Sequence, residues 1–168
     1  LFNGKNLDGW RTFKQDKAGA AWKIQDNAIA LTKEKGSSGG DIITDKQYEN
    51  YELVLEWRIQ NCGNSGIIFN VQEGDGFDYV WQTGPEVQVL DDVCHPDAQY
   101  VTHRAGDLYD MIECNRATVK PAGEWNQVRL VIRNNGMTEQ WLNGRKVVEY
   151  EMFTKEWETM ISKSKFKD

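Results

Sequence analysis

The stretch from Trp125 to Tyr150, WNQVRLVIRNNGMTEQWLNGRKVVEY, narrows the fold more than any other part of the chain. Polar and apolar residues alternate with a period of two, which lays every second side chain on one face of a strand. Asn134-Asn135-Gly136 and Asn143-Gly144 interrupt the alternation, and Asn-Gly readily supplies the positive φ of a tight hairpin. Three consecutive antiparallel strands follow from this segment alone.

The same period recurs upstream. Ala21–Gln25 and Ala28–Leu31 flank Asp26-Asn27, a second hairpin signal, and the glycine and serine loop KGSSGGD precedes a short strand at Ile42 and Ile43. Tyr51–Ile59 reads as a strand with Leu53, Leu55, Trp57 and Ile59 on one face and Val54, Glu56 and Arg58 on the other. The turn Asn61 to Gly66 leads into IIFNV, then a Gly/Asp-rich loop reaches Tyr79 and Trp81, and Glu86–Leu90 forms another strand. Only the region after Thr154 has helical spacing, with Thr154 as its cap and Trp157, Met160 and Ile161 on one side. Many short strands with one helix predict an all-β fold, a β-sandwich of two antiparallel sheets with a short peripheral helix near the C-terminus. A closed barrel is the alternative. The length of 168 residues suits a single domain over 1–168.

Net charge of −6 argues against nucleic acid, whose affinity comes from clustered Lys and Arg. No run is apolar enough to span a membrane, and LFNGKNLDGW is not a signal peptide. The hydrophobicity is concentrated in 7 Trp, 6 Tyr and 6 Phe, which favours an aromatic-lined β fold. Cys62, Cys94 and Cys114 show no zinc spacing; one disulfide between an unassigned pair and three independent thiols fit equally well.

The chemistry-bearing strand is Gly84-Pro85-Glu86-Val87-Gln88-Val89-Leu90-Asp91-Asp92. Glu86 and Gln88 share a face if it is regular, and a bulge near Leu90 would rotate Asp91 back beside them. The resulting E-x-Q-x-x-D row resembles the E-x-D-x-x-E row of laminarinase-like glycosidases, with Gln88 replacing the central acid. A solvent-facing strand explains the same residues more simply. Glu56 and Arg58 form either an ordinary ion pair or a sugar contact. His95 and His103 are candidate bases, His103 the better for its place before AGDLYD. Asn64 and Ser65 read as turn formers or ligand contacts. Among the tryptophans, Trp81 is the expected exposed platform, while Trp57 and Trp141 belong to the core. No spacing demands a metal or other cofactor, although His103 with Glu86 or Asp91 would be the set to hold a divalent cation.

Taken in order, LFNGKNLDGW, YELVLEWRI, NSGIIF, GPEVQVLD, AGDLYD, KPAGEWNQVRLVI and WLNGRKVVEY resemble the 3-keto-disaccharide hydrolase family, long called a domain of unknown function, over nearly the whole chain. The resemblance implies a concanavalin-like or laminin-G-like jelly-roll sandwich. It also implies cleavage of glycosides already oxidised to a 3-ketone by a partner sugar 3-dehydrogenase, in an extracytoplasmic setting. A C3 carbonyl acidifies the C2 hydrogen, so that a base can remove it and the C1 substituent leaves through an enolate. On the matching positions, Glu86 or His103 is the expected base and Arg58 the electrostatic stabiliser. Glu56, Asn64, Ser65, Gln88, Asp91, Tyr109 and Trp81 are the expected substrate contacts. Where relatives carry Arg after the NSGI segment this chain has Asn70, so that one cationic contact is either missing or supplied by Arg104. The family pattern closes with strands resembling GHIALQDHG and VWFRNIKI, and this sequence ends in SKSKFKD, so the domain is expected to lack its final strands. A carbohydrate-binding module on the same face is the competing functional class.

Overall fold

Asp26 and Asn27 adopt φ of 50° and 58°, the left-handed pair that a two-residue hairpin turn requires. The computed structural model describes residues 1–32, 39–115 and 118–167. In chain order its strands are β1 (Trp10–Thr12), β2 (Trp22–Gln25), β3 (Ala28–Leu31), β4 (Ile42–Thr44), β5 (Tyr51–Trp57), β6 (Asn64–Ile68), β7 (Glu86–Leu90), β8 (Asn126–Ile132), β9 (Met137–Leu142) and β10 (Arg145–Glu151). One helix, α1 (Lys155–Lys163), follows them. All strand pairs are antiparallel and, among the described residues, no sheet closes on itself. The barrel alternative is thereby set aside.

The chain divides into two compact units, Leu1–Tyr48 with Gln72–Val80, and Glu49–Val71 with Trp81–Asp168. In the first, β1 pairs with β4 and β2 with β3. Residues 35–38 of the loop KGSSGGD lie outside the described residues; the carbonyls of Gly39 and Gly40 accept from the Trp22 indole at 3.1 and 3.2 Å. Arg11 grips Glu73 through both guanidinium nitrogens, and Glu73 also accepts from the Lys14 backbone N–H at 2.7 Å. These donors hold the Glu73 carboxyl down at about 2.

The second unit carries the larger core. Its four-stranded sheet runs β10-β9-β8-β5, and β6 pairs with β7 in a separate sheet. Val128, Leu130, Ile132 and Leu142 on one side, and Val87 and Val89 on the other, join one buried cluster, with Leu53, Leu55 and Ile67 packed against it. The two sheets therefore lie face to face as a sandwich, each with one apolar inner face. β7 is extended on its second edge by Leu108, which bridges to Val87.

Two local expectations change. β6 and β7 pair without a shift from Ile68↔Glu86 to Asn64↔Leu90, and the Asp91 N–H continues the ladder to the Gly63 carbonyl at 3.1 Å. No bulge turns Asp91 back beside Glu86. The bulge lies instead in β10, where the register shifts between Lys146 and Val148 and both Val147 and Val148 are buried. Trp141, expected in the core, sits on the outer face under Arg129, 5.0 Å from its ring centroid, because the buried partners on β9 are Thr138, Gln140 and Leu142. The helix begins as expected: the Thr154 hydroxyl accepts from the Trp157 N–H at 3.1 Å, and Trp157 stacks on Tyr150.

Gly136, in the β8–β9 turn, has φ of 89°, and a Cβ there would meet the Met152 carbonyl oxygen at 2.5 Å. Gly136→Ala is expected to lower stability by about 2 kcal/mol or more, read as a fall in the urea midpoint, since a positive φ and a backbone clash combine. Glu73 gives a pH signature. Its folded pKa is depressed, so the ion pair contributes fully above the ordinary value of 4.5 and is lost as pH falls toward about 2. Glu73→Gln should flatten that acid limb in thermal melts across the same window.

Candidate functional site

Because Val87 and Leu108 face the core, their neighbours Glu86 and Tyr109 project together from the opposite side of the β6–β7 sheet. The Tyr109 N–H donates to the Glu86 carbonyl at 2.9 Å, which places the two residues opposite each other across the ladder, their Cβ atoms about 5 Å apart. On the other side of β7, Gly66 leaves room for the Glu86 side chain, since a Cβ at that position would collide with its carboxylate. Asn64, two residues along β6 on the same face, donates to Asp97 at 3.4 Å.

Tyr109 is the centre of the group. The His103 imidazole stacks on its ring with centroids 4.3 Å apart, and the Lys165 ammonium lies 3.9 Å from the same centroid. His103 Nε2 is 3.1 Å from Asp110 Oδ1, while Asp110 Oδ2 accepts from the Lys165 backbone N–H at 2.7 Å. His103 Nδ1 is buried and has no hydrogen-bond partner among the described residues. Burial first, then the charges of Asp97, Glu86 and Asp110, push the Tyr109 phenol up to about 12. It is consequently a protonated hydroxyl throughout the physiological range.

The doubled aspartate has a different task. Asp91 is 4% exposed, and its carboxylate accepts from the N–H groups of Cys62 at 2.8 Å and Val93 at 3.1 Å. Asp92 accepts from Ala105 at 2.9 Å. Asp107, fully buried, accepts from Arg104 and Cys114 at 2.6 and 2.7 Å. Burial nonetheless raises the Asp92 and Asp107 carboxyls, and it pushes the Cys114 thiol up to about 12. These acids tie the long connection after β7 onto the sheet by supplying acceptors to backbone donors that would otherwise be orphaned. A disulfide between Cys62 and Cys94, with Cα atoms 4.7 Å apart, fastens the same end.

Several expected contacts are thus placed elsewhere. Asp91 is committed to the backbone. Gln88 is 1% exposed, with its Oε1 taking the Val89 N–H at 3.1 Å, so it offers no open surface to a ligand. Ser65 pairs with Val89 and so projects from the opposite face to Asn64. Glu56 lies on the outward side of β5, whose inward residues Leu53 and Leu55 pack on the cluster that also holds Val87; it therefore points away from Glu86 across the whole sandwich. Arg58, just beyond β5, stacks on Trp125 at 4.9 Å and cannot serve as stabiliser beside Glu86. Arg104 donates to the Ala98 carbonyl at 3.0 Å. Trp81, by contrast, is exposed as expected, at 39%, within a short 3-10 turn over Val80–Gln82. His95 caps the turn Pro96–Gln99 by accepting from Asp97 N–H. Asp97, Asp110 and Lys165 join the site without having been singled out by sequence. The nearest signal was Asp110 closing AGDLYD, whereas Asp97 and Lys165 reach Tyr109 only through the tertiary fold. Among the described residues, no three His, Cys, Asp or Glu side chains are disposed to hold a metal ion.

An antiparallel sandwich with a polar sheet face built around a carboxylate, a phenol and an imidazole defines the class. The pattern of the 3-keto-alpha-glucoside-1,2-lyase-like domain matches residues 1–167, and the chain belongs to that family. A Bacteroides thetaiotaomicron 3-keto-disaccharide hydrolase is 34% identical, the alignment covering 99% of this chain and 62% of the relative. The chain therefore spans less than two thirds of that relative's length. Two Parabacteroides distasonis structures, glycosyl hydrolases by provisional designation, superpose with TM-scores of 0.86 and 0.72 at 30% and 27% identity. The first match covers 99% of this chain and 77% of the other, the second 90% and 71%.

Gly66→Ala tests the cradle for Glu86. The fold should survive, with a melting temperature within a few degrees, but the displaced carboxylate should change ligand binding or turnover at least tenfold. Unchanged function would show that the placement of Glu86 over Gly66 is immaterial.

Proposed function

We propose that the protein cleaves glycosides whose sugar carries a ketone at C3, with Glu86 as the base that removes the C2 proton. The observation that carries this reading is the gathering of Glu86, Asn64, Tyr109 and the His103–Asp110 pair at one face of the β6–β7 sheet. Family membership and the name of the Bacteroides relative support the substrate class. An ordinary retaining or inverting glycosidase needs two groove carboxylates at set spacing. Here the residue two along from Glu86 is a buried amide, Gln88.

The C3 ketone makes one carboxylate sufficient. The C2–H bond breaks as Glu86 takes the proton; its electrons form a C2=C3 double bond and the carbonyl oxygen becomes an enolate. When the enolate collapses, a C1=C2 bond forms, the C1–O bond breaks, and the leaving group departs with that electron pair and takes a proton from water, while Glu86 gives up the C2 proton to solvent and is again a carboxylate. Addition of water to the enone then gives the free 3-keto sugar, which is what separates net hydrolysis from elimination. His103, held by Asp110, fixes Tyr109 within the site.

The ketone must be supplied by a reaction that removes hydride from the C3 alcohol, so a sugar 3-dehydrogenase is the expected functional partner. The Cys62–Cys94 disulfide supports an extracytoplasmic location, where such bonds persist. No helix among the described residues is long and apolar enough to cross a membrane.

Release of nitrophenol from 4-nitrophenyl 3-keto-glucoside and from its unoxidised parent is the direct test. Only the keto sugar should react, a C2-deuterium label should slow it, and Glu86→Gln should lower kcat by about 10²-fold or more, in the range of general-base removal. Comparable cleavage of the parent would sink the keto-dependent mechanism. Binding of both without reaction would make the protein a carbohydrate-binding module.

A further inference from the structure

With Arg58 stacked on Trp125 at the other side of the sandwich, the enolate of the proposed reaction needs another stabiliser. An enolate forming next to Glu86 carries its charge on the carbonyl oxygen, one carbon from the proton that is lost. The donor must therefore sit one short step from the base, and it must remain protonated while the base is ionised.

Tyr109 meets both conditions by its position. It stands directly across the ladder from Glu86 and projects from the same face. Its ring is already occupied: His103 stacks on it at 4.3 Å, the Lys165 ammonium lies over it at 3.9 Å, and Phe166 approaches edge-on at 6.4 Å. A sugar cannot use this ring as a stacking platform. What the ring offers is its hydroxyl end, and among the described residues the Tyr109 hydroxyl makes no hydrogen bond. The covering groups fix the ring's orientation, so little reorganisation is needed to direct the O–H at a ligand. The neighbouring carboxylates of Asp97, Glu86 and Asp110 favour the protonated phenol, keeping it a donor rather than a second base.

We propose that Tyr109 is a catalytic residue whose hydroxyl donates a hydrogen bond to the C3 carbonyl oxygen of the keto sugar and holds the enolate as Glu86 takes the C2 proton. No proton leaves Tyr109 permanently: the hydrogen bond shortens as charge builds on the oxygen and relaxes when C1–O cleavage restores the carbonyl. This rests on the reading of the reaction given above, and it adds the group that discriminates ketone from alcohol at C3.

Tyr109→Phe keeps the ring and its contacts with His103 and Lys165 while deleting the donor. With 4-nitrophenyl 3-keto-glucoside, kcat should fall about 10²- to 10³-fold, the loss typical of one oxyanion donor. KM should move less than about threefold and the melting temperature should stay within two degrees. Unchanged kcat in the variant, or a loss confined to KM, would overturn the role of Tyr109 while leaving the reaction intact. Binding of the keto sugar and its parent, followed by tryptophan fluorescence, separates the two claims. Should the wild type bind the keto sugar preferentially without turning it over, and Tyr109→Phe abolish the preference, the donor stands and the reaction falls. No preference for the keto sugar in a wild type that also fails to turn over would overturn both.

Discussion

The packing of Val87 and Leu108 into the core governs everything on the far side of that sheet. Both are almost fully buried and bridged to one another, and a strand has only two faces. Once they point inward, Glu86 and Tyr109 must point outward and side by side. A shift of one residue between these segments would bury the carboxylate and expose the valine, at a cost no small sandwich could absorb. The site is in this sense a by-product of register, and register is a product of hydrophobic burial.

A second layer of order comes from acids that act as structural acceptors. Asp91, Asp92 and Asp107 bind backbone N–H groups of five residues between them. The connection after β7 is long and, among the described residues, has little regular structure beyond the turn Pro96–Gln99. It needs partners for its polar backbone where it is covered, and short carboxylates supply them without adding bulk. That the same stretch also delivers His103, Tyr109 and Asp110 to the site is a consequence of this internal wiring.

The hairpins were readable in advance because their information is local. Asp26-Asn27, Asn143-Gly144 and the alternation of Val128, Leu130 and Ile132 state both the turn and the inward face within a few residues. The outward position of Glu56 and Arg58 was equally readable. Its meaning was not, because which outer surface they share depends on which sheets stack, a relation between distant segments. Asp91 misled for a related reason: a carboxylate at a strand end looks the same in sequence whether it faces a ligand or a neighbouring loop's N–H groups. Lys165 and Asp97 lie 56 and 12 residues from Tyr109 along the chain, and neither carries a local sign of where it ends up.

The Cys62–Cys94 bond has a mechanical consequence. It closes a covalent ring, 32 residues apart along the chain, that contains all of β6 and β7. Under the loop-closure treatment such a ring removes on the order of 3–4 kcal/mol of entropy from the unfolded chain. Tension applied to the two ends of the polypeptide would travel through the sulfur bridge and bypass the strands that carry Asn64, Gly66 and Glu86. A single peptide cut inside the ring would likewise leave both fragments tethered, so the sheet face that bears the carboxylate is shielded from pulling and from nicking by a bond at its edge.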